Sequence, residues 1–374
     1  MKFTTGILTK LSGTNTSVSN ESSHFAKPIV SAHKISELTS PEVLSFIEKY
    51  ISLGTDNTRI METASRFNVE TIEEGKLDFF VNLKRINDIR YLNKFFEAVN
   101  RKLTYGGIFI GCVETIEQRR NRIFRKYSPL MAIPYYSVDF IYKRIFPKLF
   151  LTKKIYFTLT QGYNRVLSKA ETLGRLASCG FRILETADIN GRLYFAVQSF
   201  EGPSFDEHPT YGPLVKLHRI GMNGKNIIVY KFRTMHPFAE YIQDYVYSLN
   251  NLETGGKFKD DFRITAWGKL LRKFWIDELP MLINFIKGDV KLIGVRPLSH
   301  HYFSLYPEEY RNRRIKYKPG LIPPYYADLP STLPEIIDSE IKYLDAYDKN
   351  PYKTDIRYFF RAFVNIVIKR KHSR

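Results

Sequence analysis

The sequence is short of cysteine, of tryptophan and of long apolar runs, and each shortage narrows what the chain can be. Its 374 residues include 2 cysteines and 2 tryptophans. Cys112 and Cys179 stand in apolar surroundings, and no secretory signal precedes them, so a disulfide framework and a Cys/His metal site are not expected. No uninterrupted apolar stretch reaches ~18 residues, which argues against a membrane-spanning helix. The nearest approach, Pro129 to Leu151, is broken by Asp139, Lys143, Arg144 and Lys148. Its mix of aromatic and basic residues suits a partly buried helix and strand, or a segment lying in a membrane interface. Acidic residues are also scarce beside basic ones, 38 against 57, for a net charge of +19. Such a surface attracts polyanions: nucleic acid, anionic lipid or nucleotide-linked metabolites. No recognised nucleic-acid-binding motif is present, so nucleic acid is not an expected partner.

With 44% hydrophobic and 25% charged residues the chain has the make-up of a folded protein, and its length suits about two domains. Residues 1–39 are rich in Ser, Thr, Asn and Gly without apolar periodicity, and read as a flexible leader. A first domain is expected over 40–200. Ser40 and Pro41 open a helix with Val43, Leu44, Phe46 and Ile47 on its buried stripe. Leu77 to Leu83 reads as a buried strand, and Ile89, Leu92, Phe96, Val99 and Leu103 recur at helical spacing. A Gly106-Gly107 turn then leads into a second strand, Ile108 to Val113, in a β-α-β rhythm. Ser168 and Glu171 form a capping-box pattern for a helix that ends at Cys179-Gly180-Phe181. Asn190-Gly191 separates the last two strands, Arg182 to Glu185 and Tyr194 to Gln198. Glu201 to Tyr211, with Gly202, Pro203 and Pro209, suits a linker, and a second domain is expected over 201–374.

The chemistry-bearing residues crowd into that second part. Leu214 to Ile220 and Asn226 to Arg233 form a hairpin about Asn223-Gly224. A period of two puts Lys231 and Arg233 on one face, either as an anion seat or as protective charges on an edge strand. Asp277-Glu278-Leu279-Pro280 follows, with Pro280 in a first helical turn, Leu279, Leu282, Ile283 and Ile286 on an apolar face, and Gly288 as the stop. Asp277 and Glu278 therefore belong at a helix N-terminus, where backbone N–H groups favour a carboxylate and a nearby phosphate. The pair could equally serve as caps. Val290 to Val295 reads as a buried strand delivering Arg296-Pro297, a bidentate phosphate ligand on a stiffened loop. Arg311, Arg313, Arg314, Lys316 and Lys318 then crowd together ahead of Pro319-Gly320.

From Arg219 to Gly320 the sequence resembles the bacterial sugar transferases, the monotopic polyprenyl-phosphate phosphoglycosyl transferases. The resemblance rests on Lys231-Phe232-Arg233-Thr234-Met235, Asp261 to Thr265 with Gly268 and Arg272, Asp277-Glu278-Leu279-Pro280, Asn284, Gly288-Asp289, Arg296-Pro297 and Lys318-Pro319-Gly320. It implies transfer of a sugar-1-phosphate from a UDP-sugar to a polyprenyl phosphate through a covalent phosphosugar on Asp277, in polysaccharide or glycoconjugate assembly. It further implies that Glu278 shares a Mg²⁺ with Asp277 or moves a proton. Lys231, Arg233, Arg263, Arg272, Arg296, Pro297 and Arg314 would bind the donor. A peripheral place on the cytoplasmic face of the inner membrane, beside other glycan-assembly proteins, is implied as well. An alternative is an altered, transferase-like binding or regulatory subunit.

Residues 41–200 resemble the latter part of a class I methyltransferase fold, without a Gly-rich cofactor loop. The fold expected for the chain is thus α/β: a degenerate Rossmann-like methyltransferase-type domain, then a mixed α/β transferase domain. Four features depart from the transferase pattern. The re-entrant hydrophobic helix usual ahead of that domain is replaced by Gln198 to Tyr211 and the preceding domain. Val295 stands where a proline is expected, Leu321-Ile322-Pro323-Pro324 where Ile-Thr-Gly is, and Trp275 where a small hydroxyl residue is. The carboxyl-terminal run Tyr358 to Val367 with Lys369, Arg370, Lys371 and Arg374 suits an amphipathic helix on an anionic membrane or one packed on the core.

Overall fold

The computed structural model describes residues 39–51, 57–203, 212–250 and 261–368. The expected leader apart from Thr39, most of the expected linker and the basic end from Lys369 lie outside them.

The first half runs α1 (Pro41–Glu48), β1 (Thr58–Met61), α2 (Arg66–Glu70), β2 (Leu77–Arg85), α3 (Leu92–Lys102), β3 (Leu103–Val113), α4 (Ile116–Lys126), α5 (Pro129–Phe140), α6 (Phe150–Thr160), α7 (Lys169–Ser178), β4 (Phe181–Ile189) and β5 (Arg192–Ser199). Its five strands form one sheet in the order β1-β2-β3-β5-β4. β1, β2 and β3 are parallel, while β5 runs antiparallel between β3 and β4. Parallel strands closed by an antiparallel hairpin match the expected methyltransferase-type arrangement. Alternation along the strands fills both faces. Phe80, Phe109 and Phe195 pack with α3 and α7 on one side, and Val81, Ile110 and Ala196 meet Val43, Phe46 and Ile47 of α1 on the other.

Two expectations change here. Gly106-Gly107 is no separate turn but part of a bulge within β3, where pairing jumps from Leu77 with Leu103 to Phe79 with Ile108. Pro129 to Leu151 contains no strand. It is α5, a π-turn at Ile141–Ile145 and a short 3-10 turn, and within α5 only Ala132 and Asp139 are buried.

The second half opens with the predicted hairpin, β6 (Leu214–Ile220) and β7 (Asn226–Phe232), joined through Asn223 and Gly224 at φ 56° and 73°. It continues through α8 (Gln243–Asn250), α9 (Ala266–Lys273), α10 (Met281–Ile286), β8 (Lys291–Ile293), α11 (His300–Ser304), α12 (Glu308–Arg314), β9 (Gly320–Ile322), α13 (Tyr325–Asp328), α14 (Leu333–Lys349) and α15 (Pro351–Phe363). The strand expected at Val290 to Val295 is shorter, and pairs in parallel with β9. The backbones touch there: a Cβ on Gly320 would lie 2.1 Å from the Gly294 nitrogen. Ile293, Val295, Tyr326, Tyr343 and Tyr358 form the local core. Helix α15 packs on it through Tyr358 and Ala362, as one of the two expectations had it, while Tyr352, Ile356 and Phe360 face outward. Ile242 and Val246 of the second half join the first half's core beside α7.

Candidate active site

Strand β7 and helix α10 build the site together, and Asn284 is the stitch between them. Fully buried, its Oδ1 accepts from Tyr230 N at 3.0 Å, and its Nδ2 donates to Ile228 O at 2.6 Å and to Asp289 Oδ2 at 3.1 Å. A buried amide with all these bonds made fixes the register of helix on strand. Beside Met281 it forms the inward face of α10. Leu279, Leu282, Ile283 and Ile286, expected on one apolar face, are exposed.

Asp277 and Glu278 lie just before this helix, in a 3-10 turn at Ile276–Glu278 that runs through Leu279 and Pro280 into α10. Trp275 enters the turn at φ 60°, a left-handed conformation rare for a bulky side chain. Its indole meets the Tyr326 ring at a centroid distance of 4.0 Å, which accounts for a large ring where a small residue is the usual pattern.

Glu278 Oε1 accepts from Lys231 Nζ at 2.6 Å, with both side chains about four-fifths buried. The Asp277 carboxyl is held above the usual carboxylate range, first by burial and then by the Glu278 charge, while Lys231 and Arg272 pull it back. Arg272 on α9 donates to Thr234 Oγ1 at 3.0 Å and feels the charge of Asp277. Gly268 lets α9 come this close, because a Cβ there would sit 1.9 Å from the Thr234 carbonyl. Opposite, Arg296 follows β8. Tyr325 first, then Tyr326 and Glu278, hold its guanidinium in the charged form, and it faces the Tyr325 ring at 5.9 Å. Although closely surrounded, Arg296 keeps a solvent-accessible face, while Pro297 behind it is buried.

The structure therefore brings together Asp277, Glu278, Lys231, Arg272 and Arg296: two adjacent carboxylates ringed by three cations. The other expected donor-binding residues are engaged elsewhere. Arg263 is buried and doubly bonded to Asp261, at 2.8 Å for each contact. Arg314, also buried, donates to the Arg296 carbonyl at 2.8 Å and to Glu340 at 3.1 Å, so it braces the Arg296 loop from behind. Arg233, expected on one strand face with Lys231, falls just past the end of β7; its Nε donates to Gly212 O at 3.0 Å and it senses Glu240 and Glu171 rather than the acidic pair. Sequence reasoning missed Tyr325 and Tyr326, whose only signal is a pair of aromatics shortly after Pro319-Gly320. Arg219 was noted only as the start of the resemblance. Burial, then Arg296, lowers its guanidinium, which places it beside that residue.

No group of three or more His, Cys, Asp or Glu side chains that could hold a metal ion occurs among the described residues. Two mutually repelling carboxylates still fit the habit of Mg²⁺, which takes one or two protein carboxylates and completes its shell with water and substrate phosphates.

Comparison with known proteins bears on this region. Residues 207–369 match the family "Bacterial sugar transferase". A galactosyl transferase, CpsE, of Streptococcus agalactiae is 42% identical over 113 residues, 29% of this chain and 25% of that protein. An uncharacterized sugar transferase, EpsL, of Bacillus subtilis is 44% identical over 103 residues, 28% of this chain and 45% of that protein. An undecaprenyl-phosphate galactose phosphotransferase of Salmonella typhimurium is 35% identical over 116 residues, 29% of this chain and 24% of that protein. The chain thus spans from about a quarter to just under half of the length of these relatives. Among solved structures, a methyltransferase of Thermotoga maritima is similar at 13% identity and a TM-score of 0.22, covering 34% of this chain and 58% of that one.

Proposed function

We propose that the second half transfers a sugar-1-phosphate from a UDP-sugar to a polyprenyl phosphate, in polysaccharide or glycoconjugate assembly. The observation that carries this reading is the acidic pair set between Lys231 and Arg272 on one side and Arg296 on the other. A carboxylate attacks phosphorus poorly unless charge on both partners is offset, and this ring of cations offsets it. In the first step an Asp277 oxygen forms a bond to the β-phosphorus. The bond from that phosphorus to the bridging oxygen breaks, and its electron pair leaves with UMP. In the second step an oxygen of the polyprenyl phosphate attacks the same phosphorus and returns the Asp277 carboxylate. Arg296 and Lys231 orient the donor phosphates, and Arg272 with Thr234 steadies the Asp277 side. Mg²⁺ held by Asp277 and Glu278 would supply further neutralisation of the diphosphate when bound.

The same reading places the protein peripherally on the cytoplasmic face of the inner membrane, where its lipid acceptor lies. No described helix is long and apolar enough to cross a membrane. The direct test is UMP release from a panel of UDP-sugars with membranes and Mg²⁺. The reading requires release by the wild-type chain and none by Asp277→Asn. UDP-sugar binding without turnover would instead mark a binding or regulatory subunit.

A further inference from the structure

Between β3 and α7 the chain inserts residues 114–168, where αβ units ordinarily use connections of about 2–6 residues. Part of this insertion is inverted in polarity. Several of its charges lie inward: buried Arg119 pairs with Asp139 at 2.6 Å and with Glu114 at 3.1 Å, and Arg144 and Lys148 of the insertion converge with Arg175 on Glu171, which is 1% exposed. Many of its large apolar side chains point outward, with Leu130 88%, Phe150 94% and Leu151 81% exposed. Water does not select such a face, and contiguous apolar patches mark a surface that meets something apolar.

A cavity of about 890 Å³ opens beside it, lined by the segments that follow β2 and β3. This is the carboxyl edge of the parallel strands, where open α/β sheets bind ligands. Eight lysine or arginine residues line it against one carboxylate, Glu171, and Glu171 is already shared by two of them, Lys148 and Arg175, and by Arg144 outside the cavity wall. Lys94, Lys153 and Lys154 have no carboxylate partner among the described residues. Burial first, and the Arg144 charge next, push the Lys148 ammonium down to about 7. Phe150 and Leu151 belong both to the cavity wall and to the exposed apolar face. A water-soluble phosphate would meet the cations and leave those side chains in water. A lipid satisfies both, with its phosphate on the lysines and its acyl region over the apolar face.

We propose that this cavity binds the phosphate head of an anionic membrane lipid, taken from a bilayer on which the outward face of residues 129–160 lies. The site is separate from the acidic pair and stands whether or not the second half transfers a sugar phosphate.

The test is co-flotation of the full chain with vesicles of phosphatidylcholine alone, or with roughly a third phosphatidylglycerol. The chain should float with the anionic vesicles and far less with the neutral ones. Lys153→Gln with Lys154→Gln should weaken anionic binding about twenty-five-fold, at about fivefold per cation removed. Phe150→Ser with Leu151→Ser should release the chain at the same lipid concentration, whereas Ile286→Ser, on the outward face of α10, should leave most binding intact. All five side chains are exposed, and unchanged melting temperatures would show that the variants fold. A photoactivatable phosphatidylglycerol should label wild type within 90–94 or 143–158, an arm that needs no variant. Four results would overturn the proposal: no preference for anionic vesicles, binding that survives both paired substitutions, loss with Ile286→Ser alone, or labelling elsewhere. Soluble glycerol phosphate that displaces the vesicles at millimolar concentration would assign the cavity to free phosphates. A dimer dispersed by Phe150→Ser with Leu151→Ser, without vesicle binding, would assign the face to a second copy.

Discussion

Replacing Lys231 with methionine isolates the electrostatics of the acidic pair. The substitution removes the Nζ that lies 2.6 Å from Glu278 Oε1 and nearly preserves the side-chain volume in a position one-fifth exposed. A charge-assisted hydrogen bond contributes about 1.5–3 kcal/mol, so kcat/KM for UMP release should fall about tenfold to a hundredfold at neutral pH. The pH profile carries the sharper signature. Lys231 is one of two cations lowering the Asp277 carboxyl against burial and Glu278. Its loss raises that carboxyl further, so the acid limb of the rate moves to higher pH. Lys231→Arg, which restores the charge, should return the limb most of the way. Initial rates of UMP release across the acid range provide the assay. An unchanged acid limb in Lys231→Met, with only a general fall in rate, would refute the coupling of Lys231 to the attacking carboxylate.

Four further outcomes follow from the same geometry. Asp277→Asn should melt no lower than wild type at neutral pH: a carboxyl held high in the folded state costs stability once ionised, so the variant's relative gain should vanish as pH falls below the ordinary carboxylate range. Thermal melts at several pH values read this out. Arg296→Lys keeps the charge but loses the planar fork, and should raise KM for the UDP-sugar by about tenfold with little change in melting temperature. Asn284→Ala leaves Tyr230 N and Ile228 O without their partner in a half-buried place and should cost about 1–3 kcal/mol in urea titration, with the rate falling even where the protein stays folded. Glu171→Gln leaves Arg144, Lys148 and Arg175 buried around a neutral group, and should cost about 3–5 kcal/mol in the same titration.

Features carried by neighbours in sequence were legible before the structure. Asn190-Gly191 and Asn223-Gly224 adopt the positive φ values their types favour, and the period of two on β7 did put Lys231 where it meets Glu278. Features settled by distant partners were not. The resemblance made Arg314 a donor ligand, but Glu340, brought by α14, occupies it; Arg263, expected in the same role, is held by Asp261 only two residues away. Glu171 fitted a capping box, and the Ser168 hydroxyl does accept from its N–H at 3.1 Å. Its carboxylate turns inward to three cations instead, because two of them arrive on an insertion that its local sequence gives no sign of. Gly106-Gly107 looked like a turn because two glycines permit one. Pairing with β2 makes it a bulge.

The central claim is that the Asp277 carboxylate becomes covalently attached to a phosphosugar. Intact-mass spectrometry after brief incubation with a UDP-sugar and Mg²⁺, without lipid acceptor, tests it most directly. The account predicts one added sugar phosphate per chain, mapped to the peptide containing Asp277, absent from Asp277→Asn and discharged when polyprenyl phosphate is supplied. UMP release by a wild-type chain that never carries the adduct, or an adduct of equal yield in Asp277→Asn, would contradict it.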